Sequence, residues 1–161
     1  MIQIYSNPFL LDFIKVCAQL PQDEIEQLEA ISGQPYTIDG AVLGNFSIPG
    51  PKWVAKDGGE PIAIGGFTPL RPGVWQDFML NTPKGFAEHW FTLTRNSRRV
   101  MNAMFASGQA HRLECIVPAS RLVARPELVR WYEVLGYNLE ATLYGYCANG
   151  ADAIIFSRVQ H

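Results

Sequence analysis

Apolar residues recur every three or four positions in four stretches of the chain, which is the spacing of an amphipathic helix. The stretches run over residues 9–20, 25–31, 86–105 and 125–135. Gly33, Gly108 and Gly136 follow three of them and suit the left-handed turn that ends many helices. Thr82 and Pro83 precede the longest stretch, where a hydroxyl can cap the helix and proline fits its first turn. The sequence therefore predicts one long helix and three shorter ones.

Between these stretches lie short runs rich in β-branched and aromatic residues, which are typical of strands. The runs are Ile2–Tyr5, Lys52–Lys56, Glu60–Phe67, Val74–Leu80, Arg112–Val117, Leu139–Cys147 and Ala153–Val159. Asp57-Gly58-Gly59 and Asn149-Gly150 are strong turn signals and predict two hairpins. The pair Gly65-Gly66 predicts a bulge or a bend. Residues 34–51 are rich in glycine and proline, and we expect a loop there with one short element.

The order of these elements indicates the fold class. Helices that alternate with strands favour parallel pairing, whereas tight hairpins require antiparallel pairing. We therefore expect an α/β protein with a mixed, twisted sheet of six to seven strands and helices on both of its faces. The sequence shows no linker, repeat or low-complexity tract, so residues 1–161 are interpreted as one domain.

Composition excludes several classes of function. The net charge of −2 gives no general attraction to nucleic acid or to an anionic membrane, so neither is expected as a partner. Three cysteines without a C-x-x-C pair, and three scattered histidines, indicate neither a disulfide framework nor a metal site. The N-terminus lacks the basic segment of a signal peptide, and no window is apolar enough to span a membrane. A cytoplasmic location is the expectation.

The segment Trp131-Tyr132-Glu133-Val134-Leu135-Gly136-Tyr137 carries the clearest resemblance to a known family. An aromatic pair, a charged residue, an apolar pair, glycine and an aromatic residue form a motif of the GNAT acyltransferases near the end of their fourth helix. The element order over 60–159 resembles the same family. The resemblance implies the acyl-CoA N-acyltransferase fold, acetyl-CoA or coenzyme A as ligand, and an unidentified amine as acceptor.

A narrower resemblance is to a phage-encoded GNAT-like family that includes internal virion protein A of short-tailed phages. It rests on Thr82-Pro83 with Phe86, on the run Arg95 to Met104, on the motif at 131–137, and on the early helix pair that ends at 31–35. It implies an alternative function, a non-catalytic virion or assembly protein with phage structural proteins as partners. The location would then be the host cytoplasm or the virion.

The family resemblance also implies candidate residues for coenzyme A. Members of the family cradle its pyrophosphate in a glycine-rich loop before the long helix, where main-chain N–H groups point at the phosphates. The corresponding loop here runs from Asn81 to Glu88 and keeps one cation, Lys84, and one glycine, Gly85. It departs from the family pattern because it lacks the spaced glycine pair and because proline removes a donor. Met79, Leu80 and Asn81 would offer main-chain contacts to the pantetheine arm, where two parallel strands part.

Acyl transfer to an amine also needs a base for the amine and an acid for the leaving thiolate. In the family the acid is often the tyrosine of the aromatic pair, which is Tyr132 here, and packing at the helix–sheet seam is the alternative role for this residue. Asp77 and Glu114 are the candidate bases that the strand layout offers, and both could instead be solvated or paired with arginines such as Arg112.

Cations are concentrated between residues 84 and 130, and Arg95 and Arg99 share one face of the long helix. This cluster is either a surface for a protein or nucleic-acid partner or the solvated side of an amphipathic helix. The sequence favours the second interpretation.

Overall fold

The computed structural model describes residues 1–160, which form a seven-stranded sheet flanked by helices. The strands are β1 (Ile2–Ser6), β2 (Lys52–Asp57), β3 (Glu60–Arg71), β4 (Val74–Asn81), β5 (Arg112–Pro118), β6 (Asn138–Leu143) and β7 (Ala153–Val159). The helices are α1 (Leu10–Cys17), α2 (Gln22–Ser32), α3 (Ile38–Phe46), α4 (Pro83–Glu88), α5 (Trp90–Ala106), α6 (Ala119–Ala124) and α7 (Glu127–Leu135). The strand order is β1-β2-β3-β4-β5-β7-β6, and only β4 and β5 pair in parallel. The predicted mixed sheet with seven strands is confirmed.

The sheet is buried on both faces, and the alternation of side chains along β4 shows how. Phe78 and Leu80 pack with residues of α1 and α3, whereas Met79 packs with α5 on the opposite face. The cluster beneath α5 and α7 includes Phe67, Leu113 and Phe156 from three strands. Successive strand side chains point to opposite faces, so one strand supplies both layers of the core.

Two glycines in β3 give room to aromatic side chains. A Cβ atom at Gly65 would lie 2.3 Å from Cζ2 of Trp53, and one at Gly66 would lie 2.7 Å from Cε1 of Phe78. The β2–β3 ladder shifts register between Ala55 and Lys56 and runs regularly past the glycines. The bulge predicted at Gly65-Gly66 is therefore wrong: these glycines are needed for side-chain packing across neighbouring strands.

The helices differ from the prediction in two places. The long helix from Thr82 to Gly108 is broken at His89, whose φ of −126° lies outside the helical region and whose imidazole is 3.3 Å from the Asp57 carboxylate. The short element expected in 34–51 is helix α3, capped by the Thr37 hydroxyl. Helix α6 was not predicted. The caps at Gly33 and Gly136 are confirmed, with φ of 71° and 93°. Within residues 1–160, no helix combines the length and the apolar character that crossing a membrane requires.

The terminal hairpin also differs from the prediction. The first strand was expected to reach Cys147, but β6 ends at Leu143. The expected turn at Asn149-Gly150 is present, with the Gly150 amide donating to the Cys147 carbonyl at 2.8 Å, but it lies within a longer connection. Residues 144–152 instead form a long connection, fixed by a hydrogen bond from the Ala148 amide to the Ala30 carbonyl at the end of α2 (2.9 Å). Strand pairing stops early because this connection packs on α2, a tertiary contact that local turn signals do not encode.

Candidate functional site

Strands β4 and β5 part after three residue pairs, and the gap between them is the candidate site. They pair at Val74–Arg112, Trp75–Leu113 and Gln76–Glu114. Beyond these pairs β4 continues along β3 to Asn81, and β5 continues along β7 to Pro118. The main-chain groups with which each strand faces the other, past Gln76 and Glu114, therefore have no ladder partner. We call this opening the wedge.

A cavity of about 240 Å³ occupies the wedge. Its lining is mainly apolar and comes from both faces of the sheet. The polar side chains at its surface are Glu24, Gln27, Ser32, Asn45, Gln76, Asp77, Ser97, Cys115, Arg121 and Tyr132. Ser97 is buried and its hydroxyl has no partner among residues 1–160. A concave, mainly apolar cavity into which polar groups converge is the usual form of a small-molecule site.

The α7 side of the wedge contains a cluster of four titratable groups. The Tyr137 hydroxyl donates to Oδ2 of Asp77 at 2.7 Å. Burial raises the pKa of Asp77 to about 6, against the hydrogen bond from Tyr137, which lowers it. Burial also raises the pKa of Cys115 and of Tyr132 well above their ordinary values, so both are neutral at pH 7. Asp77 is thus the one member that changes charge near neutrality, and a base of this pKa beside neutral donors suits proton transfer.

The position of Tyr132 is set by the aromatic packing of α7. Its ring lies 4.6 Å from Phe156 and 5.0 Å from Trp131, measured between centroids. The Trp131 indole donates to the Thr94 hydroxyl at 2.9 Å, which ties α7 to α5. Tyr132 therefore packs at the helix–sheet seam and also lines the cavity. Its packing is compatible with the role of proton donor that the family resemblance implies.

The α2 side of the wedge holds a buried ion pair that the sequence did not reveal. Nη2 of Arg121 donates to Oε1 of Glu24 at 2.6 Å, and Nη1 donates to Gln27. Both ions are buried, and burial raises the pKa of Glu24 although Arg121 opposes this shift. Nε of Arg121 is buried without a partner among the described residues. The pair joins α2 to the short helix α6. Its two residues are 97 positions apart in the chain, so no local sequence pattern predicts the contact.

Most main-chain amides of the loop at the start of α4 already have hydrogen-bond partners within the protein. The Thr82 hydroxyl accepts from the Gly85 amide, and the Thr82 and Phe86 amides donate to Ile62 and Thr82 carbonyls. A Cβ atom at Gly85 would lie 2.1 Å from Oδ1 of Asn81, a fully buried side chain. Gly85 is therefore needed for internal packing, and residues 82–86 leave only the Lys84 amide for a phosphate.

The Lys84 ammonium is also engaged. It lies 2.8 Å from Oδ2 of Asp57, and the His89 imidazole lies 3.3 Å from the same oxygen. The amino group of Met1 lies 3.1 Å from Oδ1 of Asp57. The hydrogen bond from Lys84 holds the pKa of Asp57 well below its usual range. Asp57, Glu88 and His89 lie close enough together to ligate a metal ion. The ammonium groups of Lys84 and Met1, however, already pair with the Asp57 carboxylate. The predicted contact of Lys84 with a phosphate finds no support in this arrangement.

The structure places Asp77, Met79 and Leu80 of β4 and Tyr132 of α7 at the same cavity. Glu114 is not part of the cavity lining. Its carboxylate pairs with Arg112 at 2.6 Å, and Arg71 lies at 3.9 Å, so it is the ion-pair partner that the alternative interpretation described. Asn81 and Gly85 lie beside the wedge but face each other.

No protein-family model matches the chain, and no curated protein matches it by sequence. Its fold, in contrast, matches many solved structures. A GNAT-family acetyltransferase from Streptococcus pneumoniae is 15% identical with a TM-score of 0.68 over 100% of both chains. An N-acetyltransferase from Staphylococcus aureus Mu50 is 14% identical with a TM-score of 0.71 over 99% of this chain and 98% of the other. AAC(6')-Ib in complex with ribostamycin and coenzyme A is 15% identical with a TM-score of 0.69 over 99% and 93%.

These similarities define the class of fold to which the wedge belongs. The chain has the mixed α/β fold of the GNAT acetyltransferases. The fold predicted from the motif at 131–137 and from the element order is confirmed.

Proposed function

We propose that the chain is an N-acyltransferase that holds an acyl thioester in the wedge and transfers the acyl group to an amine. The observation that carries the proposal is the parting of β4 and β5 beside Asp77 and Tyr132. The free main-chain groups at 77–81 can pair with the amides of a pantetheine arm, as an extra strand would. Two titratable groups with well separated pKa values then lie at the same cavity, which is the usual arrangement for an acid and a base.

Each group has a defined task in that reaction. The nitrogen of the acceptor amine forms a bond to the acyl carbon, and the bond from that carbon to sulfur breaks. The Asp77 carboxylate, ionised above a pKa of about 6, takes the proton from the amine. The Tyr132 phenol, neutral at pH 7, supplies a proton to the leaving sulfur. Tyr137 is a positioning residue, since its hydroxyl fixes Oδ2 of Asp77.

Coenzyme A fits this structure only in part. The wedge and its cavity suit the pantetheine arm, and Met79 and Leu80 would contact it. The loop at 81–85, with a proline, a packed glycine and an engaged lysine, does not suit a pyrophosphate. Of the acetyl-CoA that the family resemblance implies, we therefore propose a binding site only for the pantetheine arm with its thioester.

The mismatch at this loop favours a second candidate function. A phage virion or assembly protein that keeps the fold without the cofactor would tolerate a closed loop at 82–86. In that case the apolar side chains exposed on α1 and α3 would meet phage structural proteins. Phe9, Leu11 and Leu43 are 74%, 59% and 64% exposed there.

The two candidates differ in one measurement. Incubation with acetyl-CoA and a panel of primary amines, amino acids and peptide N-termini should release free coenzyme A, quantified by chromatography. Tyr132→Phe should lower kcat by about 10²–10⁴-fold if the phenol is the acid. Tyr144→Phe is the matched control, because its hydroxyl is removed from a residue that is 85% exposed.

The outcome that removes the proposal is release no faster than spontaneous hydrolysis with every acceptor, together with no stabilisation by acetyl-CoA at millimolar concentration. That result would leave the non-catalytic candidate. Full activity in Tyr132→Phe would remove the proposed acid but keep the transfer.

A further inference from the structure

The two faces of the sheet present different groups to the wedge. Side chains alternate along a strand, so Cys115 packs beneath α7 while Ile116 points to the opposite face, where α2 lies. Phe78 of β4 points to that same face. Asp77 and Tyr132, the proposed base and acid, are on the α7 side. The α2 side of the wedge is therefore left for the molecule that accepts the acyl group.

On this α2 side, Arg121 has a donor without a partner. Its side chain is only 9% exposed and lines the cavity. Nη2 and Nη1 donate to Glu24 and Gln27, whereas Nε has no hydrogen-bond partner among residues 1–160. A donor buried without a partner destabilises the protein, and a ligand that supplies an oxygen atom removes this cost. We therefore expect the partner of Nε to be an oxygen atom of the ligand.

The charges around Arg121 indicate what kind of oxygen atom this is. Asp23 lies between two arginines, 3.7 Å from Nη2 of Arg121 and 3.1 Å from Nη1 of Arg125. Glu127 lies 3.0 Å from Nε of Arg125. With Glu24, three carboxylates are thus grouped with two guanidinium groups. A ligand carboxylate would add a buried negative charge that no cation balances, whereas a carbonyl oxygen accepts the hydrogen bond without adding charge.

The remaining lining of the α2 side limits the size and polarity of the ligand. It is apolar and is made by Leu28, Ile31, Phe78, Leu80 and Ile116. The whole cavity measures about 240 Å³, which is below the roughly 300–1,000 Å³ of typical ligand pockets. Only a small, mainly apolar part of an acceptor therefore enters the wedge.

We propose that the acceptor is an amine that carries an uncharged carbonyl group, and that Arg121 selects it by donating from Nε to the carbonyl oxygen. Amino-acid amides and the N-termini of peptides share this chemistry. Arg121 is then a residue that determines specificity, and Glu24 and Gln27 hold its guanidinium group in place. This inference rests on the proposed function, because it names the class of acceptor for the same transfer.

The test compares acceptors that differ in one group, with S-acetylpantetheine as the donor. Leucinamide carries the uncharged carbonyl, leucine carries a carboxylate in its place, and isoamylamine lacks both. γ-Aminobutyramide, γ-aminobutyrate and butylamine form a second series in which the carbonyl lies farther from the amine. In at least one series, the amide should have a kcat/KM at least tenfold above those of the other two, calculated for the unprotonated amine. Leucylglycinamide then distinguishes a peptide N-terminus from a free amino-acid amide, and transfer to either supports the inference.

A pair of variants tests the part assigned to Arg121. Arg121→Lys keeps a cation beside Glu24 but removes the Nε donor, so the preference for the amide should fall below threefold. Arg125→Lys is the matched control, because Arg125 pairs with Asp23 and does not line the cavity. It should keep the full preference. The comparison of acceptors uses the wild-type chain, so it decides the matter even where Arg121→Lys folds poorly.

Isothermal titration of the same acceptors separates this inference from the proposed function. Binding of the amide at least tenfold more tightly than the alkylamine, without any transfer, would support the inference and count against the function. Transfer to the amide and to the alkylamine with equal kcat/KM would overturn the inference and keep the function. A preference for the carboxylate would also overturn it, since the charge argument would be wrong. An equal loss of preference in both lysine variants would overturn the assignment to Arg121.

Discussion

The half-buried carboxylate of Asp77 should make the stability of the protein depend on pH, and Asp77→Asn should remove this contribution. The folded protein has a pKa of about 6 at this group, against an ordinary value of 3.8 in the unfolded chain. Between these values the folded state binds a proton that the unfolded state does not. The free energy of unfolding therefore falls as pH rises through 6, and the contribution is fully present only below 3.8.

The magnitude follows from the two pKa values. Linkage gives a loss of ~1.4 kcal/mol from Asp77 between pH 5 and pH 8, most of it below pH 6.5. Urea unfolding of the wild type and of Asp77→Asn at half-unit steps of pH would measure it. Other titrating groups, including Glu24, are common to both proteins and cancel in the difference. That difference should grow by ~1.4 kcal/mol in favour of the variant from pH 5 to pH 8.

Tyr137→Phe provides a second arm of the same experiment. It removes the hydrogen bond that favours the charged form of Asp77, and a hydrogen bond to a charged group is worth ~1.5–3 kcal/mol. The loss of stability should then move to higher pH by about one to two units. Tyr146→Phe, which removes a half-exposed phenol, should leave the curve in place. Parallel curves for the wild type and Asp77→Asn would refute the reasoning, since they would show an Asp77 that titrates alike in both states.

Two further substitutions test how the sheet and the wedge are held. Gly65→Ala should destabilise the fold by ~1–3 kcal/mol in a urea titration, because its Cβ would lie 2.3 Å from the Trp53 ring. The control Gly44→Ala, at an open helical position, should be neutral or stabilising. Equal effects of the two substitutions would contradict the packing role of Gly65. Arg121→Met should cost ~3–5 kcal/mol by leaving Glu24 buried without a cation, and adding Glu24→Gln should recover part of that loss. Failure of the second change to restore stability would show that packing, rather than charge, accounts for the first.

The sequence predicts the parts of this fold that local physics determines. Helix ends at Gly33 and Gly136 follow from the left-handed turn that glycine allows, and the hairpin around Gly58 follows from its turn signal. Helix α3 was uncertain because its stretch mixes good strand and helix formers with glycine. The break at His89 could not be foreseen, since it coincides with a contact to Asp57, 32 residues away.

The candidate site shows the same division. Tyr132 was named because the motif at 131–137 resembles the family motif, and Asp77 was one of two candidate bases, with Glu114, that the strand layout offered. The raised pKa of Asp77 depends on burial between two strands that part, which no spacing along the chain expresses. The Glu24–Arg121 pair also joins elements distant in sequence, so its two residues could not be paired from the sequence.

The sheet consists of two antiparallel halves, β1–β4 and β5–β7, which the short β4–β5 ladder joins through three residue pairs. Each half is held by its own antiparallel ladders, and beyond the three pairs the facing edges of β4 and β5 stay unpaired. The Tyr137–Asp77 and Arg121–Glu24 hydrogen bonds join the two halves on either side of the wedge. We therefore expect single substitutions at these contacts to change the width of the wedge while the antiparallel ladders on either side are kept.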